Sequence, residues 1–407
     1  MQAAGVRVCP YINGRIFDKG TSDWVPSGLE AAAKAPLDPQ VVDASTSLGF
    51  YNESYGSLAE FAVECPHTDY WQDTIAATVD TLVTNLGVDG VYIDQIAAAG
   101  PAPCWDPTHN HSLGGGSHWV TGYRKMLQKA REVESGSGMV ILTESNAEPF
   151  MDGVDMYLTL SGFGAGDFAQ SATSRIVPAF PAIYGGFVIS MGAEFFTTDL
   201  DDDGDVFAAR LAQQLLFGAQ LGWMSLGGRS DNQSPPMGLF DLLMDEAHDE
   251  EVAFLARLSS ARDILSEFFL HGRPSRDLAL NISRTRRRAP WASHRNGGSG
   301  LEFDTIASRV WLDATQSALA ILMVSVENNS LEETPVSFAL NVESYGMLLD
   351  LNGEDATCVV DLVDLTGEGM SGLSGGTKGP CQDLFVSAVV PRRNPVALLV
   401  YQQKNQD

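Results

Sequence analysis

Between residue 6 and about residue 270, short apolar runs alternate with segments of helical period, and no other feature constrains the fold as strongly. Such alternation means parallel strands joined by helical crossovers. "VRVCPYIN" supplies a first strand, Val88 to Asp94 a second, "GMVILTES" (138–145) a third and "VDMYLTL" (154–160) a fourth. "IYGGFVISMG" (183–192) and "LGWMSLG" (221–227) are predicted as the fifth and sixth. Residues 70–86 place Ile75, Val79, Leu82, Val83 and Leu86 on one helical face. A helix opening near Ser117 repeats the pattern with Val120, Tyr123, Leu127 and Ala130. A third follows "DLDDDGD" (199–205), with Phe207, Leu211 and Leu215 on one side, and a long amphipathic helix is predicted over about 246–270.

Six such units with polar strand tips predict an α/β fold, most of a (β/α)8 TIM-type barrel, whose active sites lie at the C-terminal strand ends. Two β/α units are expected to be missing in front of "VRVCPYIN", leaving the barrel N-terminally incomplete. Past "HGRPSRD" the runs become short, β-rich and separated by Gly, Asn and Pro, as in "ALAILMVSVEN", "PVSFALNV", "TCVVDLV", "LFVSAVV" and "PVALLVYQ". This predicts an antiparallel β-sandwich, with the domains divided as 1–272 and 273–407. The basic "RTRRRAPWASHRNGGSG" (284–300) reads as a solvated loop.

The chain has 52 acidic against 25 basic residues, a net charge of -27. A surface of that sign repels phosphate backbones and anionic lipid, so neither nucleic acid nor membrane is expected as a partner. No apolar run approaches the ~18 residues that a membrane-spanning helix needs. Cys358 and Cys381 bracket a Gly-rich segment and are positioned for one disulfide if the protein is exported. The five cysteines show no CxxC or other metal-binding spacing. No leader peptide precedes the first strand; an extracellular or periplasmic location is favoured if the native N-terminus is missing.

Two acids stand out by position. Asp94 and Glu144 each end a predicted strand, one helix apart. Paired carboxylates at neighbouring barrel strand tips suit a retaining glycosidase, one as nucleophile and one as acid/base. The loop after Asp94, "CWDPTHNHSLGGGSHW", carries Asp106, His109, His111, His118 and Trp119. It reads as a sugar-binding wall, the histidines and tryptophans meeting hydroxyls and ring faces. Its other reading is a metal set, His109 and His111 joined by Asp94 in a metal-dependent hydrolase. "DLDDDGD" begins like a calcium loop, but Arg210 stands where the bidentate Glu belongs, so the segment reads as a charged helix start. No cofactor is implied, and no Gly-x-Ser-x-Gly elbow occurs.

At "PYINGR", "GVDGVYIDQI", "CWDPTHNHSLGGGSHW" and "LTESNAEPF" the chain resembles a glycoside-hydrolase-like barrel family of largely unknown function, over roughly residues 6–270. More distantly it is similar to retaining α-glycosidases of the α-amylase and endo-α-N-acetylgalactosaminidase type. The resemblance implies Asp94, on the fourth barrel strand, as nucleophile and Glu144, on the fifth, as acid/base. A third carboxylate falls to Glu194 or Asp199. Around the pair, Tyr11, Asn13, Arg15, Tyr92, Gln95, Asp106, His109, His111, Trp119 and Asn146 are the candidate substrate contacts. The expected function is hydrolysis of an oligosaccharide, polysaccharide or glycoconjugate. A barrel that only binds carbohydrate is the alternative outside enzymology.

Overall fold

A computed structural model describes residues 1–37, 47–55, 59–133, 138–159, 177–192, 195–222, 224, 239–276, 278–280, 286–289, 301–327, 333–349, 356–365 and 377–403. The chain divides into two compact units, Met1–Leu158 and Thr159–Asp407.

The first unit is built on four parallel strands in the order β1 (Tyr11–Asn13), β2 (Gly90–Asp94), β3 (Val140–Glu144) and β4 (Met156–Leu158). β2 is buried along nearly its whole length, which is why "GVYI" carries no polar alternation. Gly90 is required at its start, because a Cβ there would come within 2.3 Å of the Val140 carbonyl oxygen. Gly14 is just as confined: a Cβ would meet Ile93 and Ile96 at 2.6 Å, and its N–H donates to the Asp94 carbonyl at 3.0 Å.

Helix α1 (Asp69–Asp80) crosses from β1 to β2 and buries Trp71, Ile75 and Val79. Its last stretch, Thr81–Asn85, is a π-helix. That wider turn rotates the end of the predicted face: Val83 stays buried, while Leu86 is 67% exposed. Helix α2 (His118–Arg131) crosses from β2 to β3 and buries Trp119, Tyr123, Met126, Leu127 and Ala130. Between β1 and α1 lie small antiparallel pairings among residues 16–18, 52–53 and 61–63, and between 34–36 and 48–50. Strands of two or three residues leave no periodicity, and the sequence did not reveal them.

In the second unit the predicted fifth strand is shorter than expected. Ala179–Tyr184 is helical, entered through Pro178, and only Ile189–Met191 is strand. Of "LGWMSLG", Met224 makes a parallel bridge to Phe195; Trp223 and residues 225–227 lie outside the described residues. The long helix is broken into Glu246–His248, Asp249–Ile264 and Ser266–Leu270. Helix Asp205–Leu216 is buried almost all round and packs with Asp249–Ile264 in one apolar core.

A six-stranded antiparallel sheet follows, centred on Ile306–Leu312, Ala318–Ser325 and Pro395–Gln402. Strand Ala318–Ser325 is buried on both faces. Ala320, Leu322 and Val324 join the helical core, while Leu319, Ile321 and Met323 meet Val336, Phe338 and Val386 of the two-stranded sheet Glu333–Leu340/Leu384–Pro391. Cys358 and Cys381 in that second core are bonded, as the bracketing spacing predicted. The basic segment departs from expectation: Arg286–Ala289 is a strand paired with Leu301–Asp304, and Arg287 is ion-paired with Asp205. No helix among the described residues is long and apolar enough to cross a membrane.

Candidate active site

Asp94 and Glu144 end neighbouring parallel strands. The register pairs Tyr11 with Tyr92, Asn13 with Asp94, and Tyr92 with Leu142. Side chains two residues apart on a strand share a face. Tyr11, Asn13, Tyr92 and Asp94 therefore project to one side, and Glu144 stands two residues past Leu142 as Asp94 stands two past Tyr92. The next residue is left-handed at both tips, Gln95 at φ 65° and Ser145 at φ 64°. Neither is a glycine, so each costs about 1–3 kcal/mol that the surrounding structure must offset. Both strands are turned away sharply after presenting their acid.

Asp94 is 7% exposed and held on both oxygens. Tyr11 donates its hydroxyl to Oδ2 at 2.7 Å, and the Gln95 backbone N–H donates to Oδ1 at 2.6 Å. Glu144 is half-buried. The tyrosines Tyr11 and Tyr92 meet edge-on, ring centroids 5.4 Å apart. Burial pushes the Tyr11 hydroxyl up to about 12, with the hydrogen bond to Asp94 and the charges of Asp94 and Glu144 adding to it. Tyr92 is raised by burial first and then by the same two carboxylates. Both acids therefore act on the same two phenols. Tyr11 stays a hydrogen-bond donor throughout the neutral range.

Asn13 accepts from the backbone N–H groups of Arg15 (2.8 Å) and Ile16 (3.0 Å) and donates to the Tyr11 oxygen at 3.3 Å. Arg15 is 7% exposed, ion-paired with Glu53 at 2.5 Å and 6.0 Å from the Trp119 ring. Gln95 donates to the Tyr55 hydroxyl at 3.0 Å, and Tyr55 donates to Glu53. Glu53 and Tyr55 escaped the sequence reading, because only the small antiparallel sheet brings them beside the strand tips. Asn146 is exposed.

The loop histidines do not join this group. Asp106 shapes its own turn, accepting from the Thr108 N–H at 2.8 Å and from its hydroxyl. His109 and His111 gather instead with Cys65 and Cys104, the donor atoms of the four all within 4.8 Å of one another. Asp94 is not among them. Trp119 is buried and packs edge-on against Tyr123. Cys104 is held well below the ordinary thiol range, chiefly by the hydrogen bond from Cys65. Glu64 next door is fully buried, with neither oxygen hydrogen-bonded among the described residues, and burial pushes it up to about 9. Of the two candidates for a third carboxylate, Glu194 lies outside the described residues. Asp199 is fully buried in an ion pair with Arg210.

Residues 1–195 match the family described as Domain of unknown function (DUF6259). A Monosiga brevicollis protein named Putative glycoside hydrolase 22789 is 39% identical over 331 residues, which are 80% of this chain and 27% of that protein. A Bacteroides thetaiotaomicron protein named Putative glycoside hydrolase is 30% identical over 272 residues, 67% of this chain and 36% of that protein. The chain thus spans 27% and 36% of the length of these relatives. Among solved structures, an alpha-amylase from Geobacillus thermoleovorans complexed with acarbose has a TM-score of 0.54 at 11% identity, covering 99% of this chain and 79% of that one. A maltogenic alpha-amylase from Thermotoga neapolitana has a TM-score of 0.53 at 9% identity, with coverage of 99% and 79%. At such identities the likeness is one of fold.

Proposed function

We propose that this chain, similar to a glycoside-hydrolase-like family of unknown function, carries the active site of a retaining glycoside hydrolase. Its substrate is an oligosaccharide, a polysaccharide or a glycoconjugate. The parallel α/β portion, residues 1–272, is read as part of a (β/α)8 barrel, and residues 273–407 as a β-sandwich. One observation carries the assignment: Asp94 and Glu144 end adjacent parallel strands and both charges act on Tyr11 and Tyr92. Neighbouring strands lie about 4.7–4.9 Å apart, and retaining chemistry needs its two carboxyl groups about 5–5.5 Å apart.

Asp94 attacks the anomeric carbon while the bond to the leaving oxygen breaks, and Glu144 passes its proton to that oxygen. A water then loses a proton to Glu144 and attacks the same carbon, releasing Asp94. Two inversions give net retention. The Tyr11 hydroxyl on Oδ2 leaves Oδ1 as the attacking oxygen, with the Gln95 N–H fixing its direction. Gln95 Oε1 is buried with no hydrogen-bond partner among the described residues and is suited to accept from a sugar hydroxyl. Arg15, Tyr55 and Asn13 hold the surrounding wall. Proton NMR of a cleaved aryl glycoside tests the reading: the first-formed sugar should keep the configuration of its substrate. An inverted first product would remove the nucleophile role from Asp94.

A further inference from the structure

We propose that Cys65, Cys104, His109 and His111 bind one zinc ion in a closed tetrahedral site that is structural, not catalytic. The four come from two stretches, Cys65 just ahead of α1 and the other three in the loop between β2 and α2. Cys65 Sγ lies 3.4 Å from His111 Nε2, and Cys104 Sγ lies 3.3 Å from His109 Nδ1. Zinc bonds of about 2.3 Å to sulfur and 2.0–2.1 Å to nitrogen give tetrahedral S···N edges of roughly 3.5 Å. The observed edges fit an ion with little movement.

The remaining ring nitrogens are already committed. His109 Nε2 faces the Glu30 carbonyl oxygen at 2.8 Å, and His111 Nδ1 faces the Ser112 carbonyl oxygen at 2.9 Å. A neutral imidazole facing a carbonyl carries its proton on that nitrogen, so the lone pair of the other points at the sulfurs. That is the second hydrogen bond with which metal-binding histidines are oriented. The Lys34 N–H is directed at Cys104 Sγ at 3.4 Å, a donor that suits a thiolate. Cys65, Cys104 and His109 are buried, His111 is half-buried, and two thiolates cancel the charge of a divalent ion.

The donor set selects the metal class. Two sulfurs and two imidazoles in a tetrahedron suit zinc, whereas calcium and magnesium demand oxygen. Four protein ligands leave no open position for water or substrate, which separates this site from a hydrolytic centre. The cysteines are 39 residues apart, so the ion would tie the loop after β2 to the segment that launches α1. Cys65 and Cys104 are both free thiols in a chain whose Cys358 and Cys381 are bonded.

The test is metal content and spectrum of the full chain purified in reductant with zinc chloride. One zinc per chain is expected, falling to about a tenth or less in Cys104→Ser and in His109→Ala. Because those variants can misfold, wild-type protein stripped with chelator is also titrated with cobalt chloride. One equivalent should develop thiolate-to-cobalt charge transfer and the visible bands of a tetrahedral site, and zinc chloride should abolish both. Wild-type protein with Cys65 and Cys104 reduced that takes up neither metal overturns the proposal. So does a cobalt spectrum without the thiolate band, or a native disulfide between the two cysteines.

Discussion

Two polar clusters lie within the first unit, and they differ in every respect that separates chemistry from architecture. At the strand tips, Asp94, Glu144, Tyr11 and Gln95 sit on or just past regular strands, beside an exposed Tyr11 and two residues of positive φ. At the second cluster, Cys65, Cys104 and His109 are buried and each histidine is satisfied by a backbone carbonyl. The first is rigidly mounted, held at constrained backbone positions and bordered by an exposed tyrosine. The second is closed on itself. A site that turns over substrate needs the former; a site that holds a loop needs the latter.

The sharpest way to break this division is to remove one acid. Asp94→Asn should lower turnover of an aryl glycoside by about 10³-fold or more, since its carboxylate forms the covalent intermediate. Its zinc content and melting temperature should change little. Glu144→Gln should spare substrates with very good leaving groups in the first step and slow the second, in which the same residue takes a proton from water. Azide should rescue Glu144→Ala, giving a glycosyl azide of retained configuration.

The opposite pattern is expected at the closed cluster. Cys104→Ser should lower the melting temperature by about 10 °C, with activity lost only as the protein unfolds, because a structural metal contributes directly to folding. Circular dichroism melts with and without chelator check this. An activity loss that precedes any melting would merge the two clusters into one site.

Finer changes sharpen the comparison. Tyr11→Phe removes a hydrogen bond to a charged group, worth about 1.5–3 kcal/mol, so kcat/KM should fall about tenfold or more at unchanged metal content. The smallest effect concerns the anchor in front of β1. Asp89 accepts from the Val8 N–H, Arg7 and Gln2, which lower its carboxyl from 3.8 to about 2. Its contribution to stability is therefore present above pH 3.8 and lost as pH falls through about 2. Calorimetry across that window should show a shallower acid dependence in Asp89→Asn.

The strand tips were legible in the sequence because a strand buried on both faces reads as an unbroken apolar run, and an acid at its end has no core role. Asp94 and Glu144 met that description, and the register of β1, β2 and β3 places them on neighbouring strands. The companions of the pair were only partly visible. Glu53 arrives on a two-residue strand too short to show any period, and Tyr55 follows just past its end. The cluster was half-visible: Cys104, His109 and His111 are close in sequence, but Cys65 comes from the far side of α1 and β2, and no spacing rule reaches that far. The end of α1 departs from the predicted face because a π-turn shifts it, and Ile183 and Tyr184 are helical although, with Gly185, Gly186 and the apolar run after them, they mimic a strand.

The most direct measurement is the identity of the residue that carries the sugar between the two steps. Once an aryl glycoside is found that the protein cleaves, its 5-fluoro glycosyl fluoride counterpart should trap that intermediate. Intact mass followed by peptide mapping then locates the bond. The glycosyl group is expected on Asp94, with Asp94→Asn unlabelled and inactive. A label on any other residue, or turnover that persists in Asp94→Asn, would contradict the assignment.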